Sequence, residues 1–103
     1  MTAPLYTKIT GNVTNQVLIT KGGDWSGDMR YITIVNSHAS NNLTVSMDLY
    51  DGSAVVADLI SFVVIPAGVS LSMTDTPHMR FNSKKYSLRV TTTGSANCTI
   101  IIK

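Results

Sequence analysis

The chain has 103 residues, of which 44% are hydrophobic and 14% charged, and a formal net charge of +2. That is one domain with too much apolar content for a disordered chain and too little clustered basic charge for a nucleic-acid binder. No Glu is present, Gln16 is the only Gln, and Thr (13), Ser (11), Val (10) and Ile (9) dominate, which excludes helical bundles and coiled coils and favours strands.

In chain order, residues 1–10 (MTAPLYTKIT) lack the basic start and apolar stretch of a signal peptide. Two readings are open for them: an N-terminal arm that docks on a neighbour, or an edge strand or frayed end, the more common outcome for a terminus. Val17 to Thr20 form the first short strand. The loop at 21–28 (KGGDWSGD) follows and carries Trp25, the only tryptophan. Arg30 to Asn36 set Tyr31, Thr33 and Val35 against Ile32 and Ile34, a strand buried on both faces or lying against a neighbouring subunit.

After the Asn41-Asn42 turn, Leu43, Val45, Met47 and Leu49 alternate with Thr44, Ser46, Asp48 and Tyr50. This is the clearest half-buried strand in the chain. Asp51-Gly52 close it, and Val55 to Ile65 give one bent strand or two short ones. Pro66-Ala67-Gly68 turn the chain into the alternation of Val69, Leu71 and Met73 with Ser70, Ser72 and Thr74. Tyr86 to Thr92 set Leu88 and Val90 against Ser87, Arg89 and Thr91. Gly94-Ser95 suggest a hairpin into Asn97 to Lys103, where Cys98, Ile100 and Ile102 share a face. Seven or eight short strands with regular turn signals predict an all-β, single-domain antiparallel β-sandwich, jelly-roll-like in arrangement.

No apolar run approaches the roughly 20 residues of a membrane helix, so no membrane partner is expected. Folding hides about two-thirds of the surface of a chain this size. The burial gain of about 155 kcal/mol then nearly equals the ordering cost. A margin that thin favours further burial in an oligomer.

Catalytic chemistry is sparse. No HExxH, CxxC, GxSxG, Walker-type or GxGxxG motif occurs. His38 and His78 read as ordinary loop residues, and a Ser-His-Asp set drawn from them is inventory without geometry. Asp24 and Asp28 share a loop, but a Ca²⁺ site needs more converging oxygens, and turn capping explains them better. Cys98 is the single cysteine, so no internal disulfide exists, and it reads as a small core residue. Three N-x-T sequons, at Asn12, Asn42 and Asn97, are the chance product of a Thr- and Asn-rich chain. The reading is therefore a non-enzyme with no cofactor and no metal. Trp25, Tyr6 and Tyr50 are the candidate partner-contact residues, because aromatics bring large area at low entropy cost. For Trp25 the competing reading is a cap on one end of the sandwich.

One order of segments carries a resemblance. It runs Ile34-Val35-Asn36, Asn41-Asn42, Leu43 to Asp51 (LTVSMDLYD), Ile65-Pro66-Ala67-Gly68 with Leu71, then Tyr86-Ser87-Leu88-Arg89-Val90 and a final Ile-rich strand. This resembles the small all-β virion proteins of tailed bacteriophages that decorate or cement heads, or occupy tail structures. Where such proteins often carry a Gly-Asp pair before the penultimate strand, this chain has Asn82-Ser83-Lys84-Lys85. The resemblance implies a structural virion protein assembled in the host cytoplasm, with no catalytic residues. It also implies a symmetric homo-oligomer, a trimer being expected from the three-fold sites of phage heads. The partner would be the major capsid protein or another virion protein, not nucleic acid. The alternatives are a tail, baseplate or fibre component, or a carbohydrate-binding sandwich using Trp25 and Tyr50.

Overall fold

The computed structural model describes residues 5–22, 31–74 and 84–103. Eight strands run β1 (Leu5–Ile9), β2 (Val13–Ile19), β3 (Tyr31–Asn36), β4 (Leu43–Tyr50), β5 (Val55–Ile65), β6 (Ser70–Thr74), β7 (Ser87–Thr93) and β8 (Cys98–Ile102). They form two antiparallel four-stranded sheets, β1-β8-β3-β6 (sheet A) and β2-β7-β4-β5 (sheet B).

The pairing explains the architecture. β1 pairs with β8, β2 with β7, β3 with β6 and β4 with β5. The chain is thus folded in half at the β4–β5 turn, and the double ribbon is rolled so that successive pairs fall in opposite sheets. The additional pairs β3·β8 and β4·β7 close each sheet. This is a jelly roll, the arrangement that the strand pattern predicts.

The core follows from period-2 alternation on both sheets. Leu43, Val45, Met47 and Leu49 of β4 point inward and meet Ile32, Ile34, Ile100 and Ile102 of sheet A in one buried cluster. Cys98 lies in the same cluster, as a small core residue. The total accessible surface is 5623 Å², close to the roughly 5,600 Å² that this mass predicts for a folded monomer.

Two local expectations change, and a third is decided between its two alternatives. Gly94 and Ser95 do make a tight turn, with φ of 102° and 53°. It is not a hairpin, because β7 belongs to sheet B and β8 to sheet A. The turn crosses the sandwich, held by Asn12 Oδ1 accepting from the Ser95 amide at 2.9 Å. Within the chain β3 is buried on one face only, since Tyr31 is 44% exposed and among the described residues no strand covers the outer face of sheet A. Val55 to Ile65 is one strand, bent by register shifts against β4 on both sides of Met47 and again near Tyr50. Of the first ten residues, Leu5–Ile9 form an edge strand in regular register with β8.

Candidate functional site

The alternation that fills the interior with aliphatic side chains leaves the polar and aromatic groups at the two ends and on the two outer faces. The end formed by the β1–β2, β3–β4, β5–β6 and β7–β8 connections is tied by asparagines. Asn36, fully buried, donates through Nδ2 to the carbonyls of Asn41 (2.9 Å) and Ile65 (2.8 Å), and its Oδ1 accepts from the His38 amide (3.0 Å). Asn97 Oδ1 accepts from the Gly11 amide at 3.3 Å, and Asn41 Nδ2 donates to the Ser95 carbonyl at 3.1 Å. One carboxamide satisfies a donor and an acceptor at once, so a few asparagines replace the backbone pairing these loops lack.

His38 belongs to this scaffold. Its Nδ1 accepts from the amides of Ser40 (3.1 Å) and Asn41 (2.9 Å), which fixes the turn. His38 is the loop residue that the sequence suggests. His78 lies outside the described residues.

At the opposite end Asp51 organises the β4–β5 turn. Its Oδ1 accepts from the amides of Ser53 and Ala54, both at 2.8 Å, and from Ser53 Oγ at 3.1 Å. These bonds, that from Ala54 first, hold its carboxyl below the ordinary value. Lys21 Nζ donates to the Asp51 carbonyl at 3.0 Å, and the Lys21 amide donates to Ser87 Oγ at 2.9 Å. Asp24, Asp28 and Trp25 lie outside the described residues, so neither the contact nor the cap reading of Trp25 is addressed. Among the described residues no three His, Cys, Asp or Glu side chains converge as metal ligands.

The outer face of sheet B carries another polar cluster. Asp48 stands directly opposite Arg89 across β4 and β7, and Tyr50 lies two residues along β4 on the same face. Arg89 Nε donates to Asp48 Oδ1 at 2.9 Å and Nη2 to Oδ2 at 3.3 Å, a two-pronged pair. The guanidinium carbon lies 3.9 Å from the Tyr50 ring centroid, within cation–π range. Tyr50 therefore does not present a bare ring on that side, and a sugar cannot stack where Arg89 sits. On the other flank Asp58 of β5 stands directly opposite Asp48 and is exposed.

β5 also carries a feature that sequence reasoning missed. Phe62 has φ of 51°, is 78% exposed, and its amide donates to Ser46 Oγ at 3.0 Å. The register shift between Val45 and Met47 makes this a β-bulge. A bulky residue in the left-handed region costs roughly 1–2 kcal/mol, and an exposed ring recovers little of that by burial. The sequence signal was present but weak, since alternation breaks between Asp58 and Phe62.

Tyr6 projects from the other side of the molecule. It is 67% exposed, pairs with Ile101 on the outer face of sheet A, and has Lys8 two residues along the same face. Tyr31, Thr33, Val35 and Thr99 complete a face with few charges. Tyr6 and Tyr50 are thus on opposite sheets and do not form one site. Among the described residues no helix is long and apolar enough to cross a membrane. A scan of protein-family models and a search of curated proteins both find no match to this chain.

Proposed function

We propose that this chain is a non-enzymatic structural protein of a tailed-phage virion, a head decoration or cement protein that binds the capsid surface as a symmetric homo-oligomer. The observation that carries the reading is the jelly roll whose interior is filled by its own aliphatic side chains. Such a molecule works by contact across its surface. Jelly rolls recur among viral coat proteins, which is support by analogy of fold. The order of segments from Ile34 to the final strand supplies the second support, through its resemblance to phage virion proteins.

The physics suits that role. Outer strands built of Ser, Thr, Val and Tyr offer neutral hydrogen bonds and apolar contact that depend little on salt. Among the described residues the two sheets end in four edge strands, and symmetric assembly is one way to cover them.

The test is gold-labelled antibody on intact particles together with a copy-number measurement. Dense labelling of the head at a fixed ratio to the major capsid protein is expected. Labelling confined to the tail overturns decoration in favour of a tail component, and particles free of the protein overturn the virion reading altogether.

A further inference from the structure

We infer that two copies of this chain meet head to tail, the β5 flank of sheet B in one copy against the outer face of sheet A in the next. The inference rests on the oligomeric reading above only for why copies associate at all. Its geometry comes from two local penalties on β5 and from the distribution of charge between the sheets.

The first penalty is Phe62, held in the left-handed region at a bulge and left 78% exposed. Backbone strain of this kind persists where something repays it, and among the described residues nothing buries the ring. Val64, 55% exposed, stands beside it, and Val55 and Val56, 50% and 48% exposed, extend the apolar strip towards the β4–β5 turn. The second penalty is Asp58, which faces Asp48 directly across the β4–β5 ladder. Like charges at that position destabilise a sheet. Arg89 relieves Asp48 with both prongs, and Asp58 has no ion-pair partner among the described residues.

The charges of the two sheets are complementary. With Asp48 and Arg89 neutralising each other, Asp58 is the one unbalanced charge on the strands of sheet B. The strands of sheet A contain no acidic residue, and their outer face carries Lys8, with Lys103 following β8 beside Tyr31. Lys8 likewise has no ion-pair partner among the described residues. Tyr6, Tyr31 and Ile101 supply the apolar surface there. An acid set in an apolar strip thus matches a lysine set in an apolar face.

Backbone pairing between two sheet B edges is disfavoured. β5 is shifted repeatedly against β4, and β2 bulges at Asn15, where φ is 50°. Bulged edges resist strand addition, so side chains rather than ladders make the contact. The molecule measures 38 × 28 × 21 Å. One broad face therefore exceeds the about 800 Å² that a stable interface takes from each partner. Because the two patches lie on opposite sheets, the contact is heterologous, and it closes into a ring or extends as a stack.

The test is sedimentation equilibrium over a range of concentrations, with thermal melts by circular dichroism as a folding control. Wild-type protein is expected to self-associate. Asp58→Lys and Lys8→Asp each weaken association about ten-fold, and the double exchange restores it to within about two-fold of wild type. Phe62→Asn weakens it without loss of fold. In oxidising buffer, a mixture of Asp58→Cys chains and Lys8→Cys chains cross-links, and neither variant cross-links alone. A monomeric wild type, single charge reversals without effect, or cross-links within one variant alone overturn the inference. If this contact fails while particles still carry the protein on their heads, the function stands and the inference falls. If the protein associates with the expected charge dependence but is absent from particles, the inference stands and the function falls.

Discussion

Asn36 Nδ2 donates to the Ile65 carbonyl at 2.8 Å, joining the end of β3 in sheet A to the end of β5 in sheet B. The same side chain holds the Asn41 carbonyl and the His38 amide, and it is fully buried. Removing it takes the side-chain partner from two carbonyls and one amide at this end of the sandwich. Asn36→Ala is therefore expected to lower stability by about 3 kcal/mol, read as a shift in urea midpoint. Asn36→Asp costs at least as much, because a carboxylate accepts but cannot donate to those carbonyls. An Asn36→Ala midpoint equal to wild type refutes the clamp.

Gly94 and Gly68 share a left-handed backbone, with φ of 102° and 76°, but not their surroundings. A Cβ on Gly94 would collide with the Asn42 carbonyl, whereas one on Gly68 meets nothing within 4 Å. Gly68→Ala should cost about 1 kcal/mol, the backbone penalty alone. Gly94→Ala adds displacement of the β3–β4 loop and should cost at least about 3 kcal/mol. Equal losses at the two positions would show that Asn42 yields freely.

The contrast between β4 and β5 shows what the sequence could tell. β4 lies between β5 and β7 with one face in the core, so Leu43, Val45, Met47 and Leu49 alternate cleanly and can be read from the chain alone. β5 is an edge strand whose bulges break the period, so Phe62 left only a weak signal, the loss of alternation between Asp58 and Phe62. The Gly94-Ser95 turn was legible, but its crossing between sheets was not. A tight turn within a sheet and one between sheets use the same residues, and only the long-range pairings of β7 and β8 separate them. The candidate site divides in the same way. Tyr6 stood out only as an aromatic in the N-terminal stretch, while the stacking of Arg89 on Tyr50 depends on residues 39 apart meeting across β4 and β7.

Cys98 sits in the core, and burial pushes its thiol up to about 11. The thiolate is the reactive form, so it is scarce at neutral pH. A thiol reagent at about pH 8 should label native protein only as fast as it opens, and unfolded protein in urea at once. A raised thiol value also means that its contribution is complete below the ordinary unfolded value of about 8.5 and is lost as pH rises towards the folded one. Rapid labelling with the native circular dichroism intact would place Cys98 outside the core.

Asp51 has the opposite sign. Its carboxyl is held below the ordinary value by the Ala54 and Ser53 amides, so its contribution is present above about pH 4 and disappears as pH falls through the folded value. Asp51→Ala should be less stable than wild type at neutral pH, because the β4–β5 turn loses its acceptor. The gap between the two urea midpoints should narrow below about pH 4. A gap that stays constant down to acid pH shows that the loss comes from the turn backbone and not from the ionised carboxylate.

Phe62 separates stability from assembly. Asparagine tolerates the left-handed region far better than phenylalanine, and the exposed ring has little burial to lose. Phe62→Asn should therefore raise the stability of the isolated chain by about 1 kcal/mol, measured by urea unfolding at concentrations low enough to keep it monomeric. The same variant should weaken the self-association inferred above. A residue that is costly in the free subunit and useful in the assembly shows this opposed pair of effects. If Phe62→Asn destabilises the monomer, the ring is packing within the chain, and the bulge then shapes the fold rather than displaying a contact.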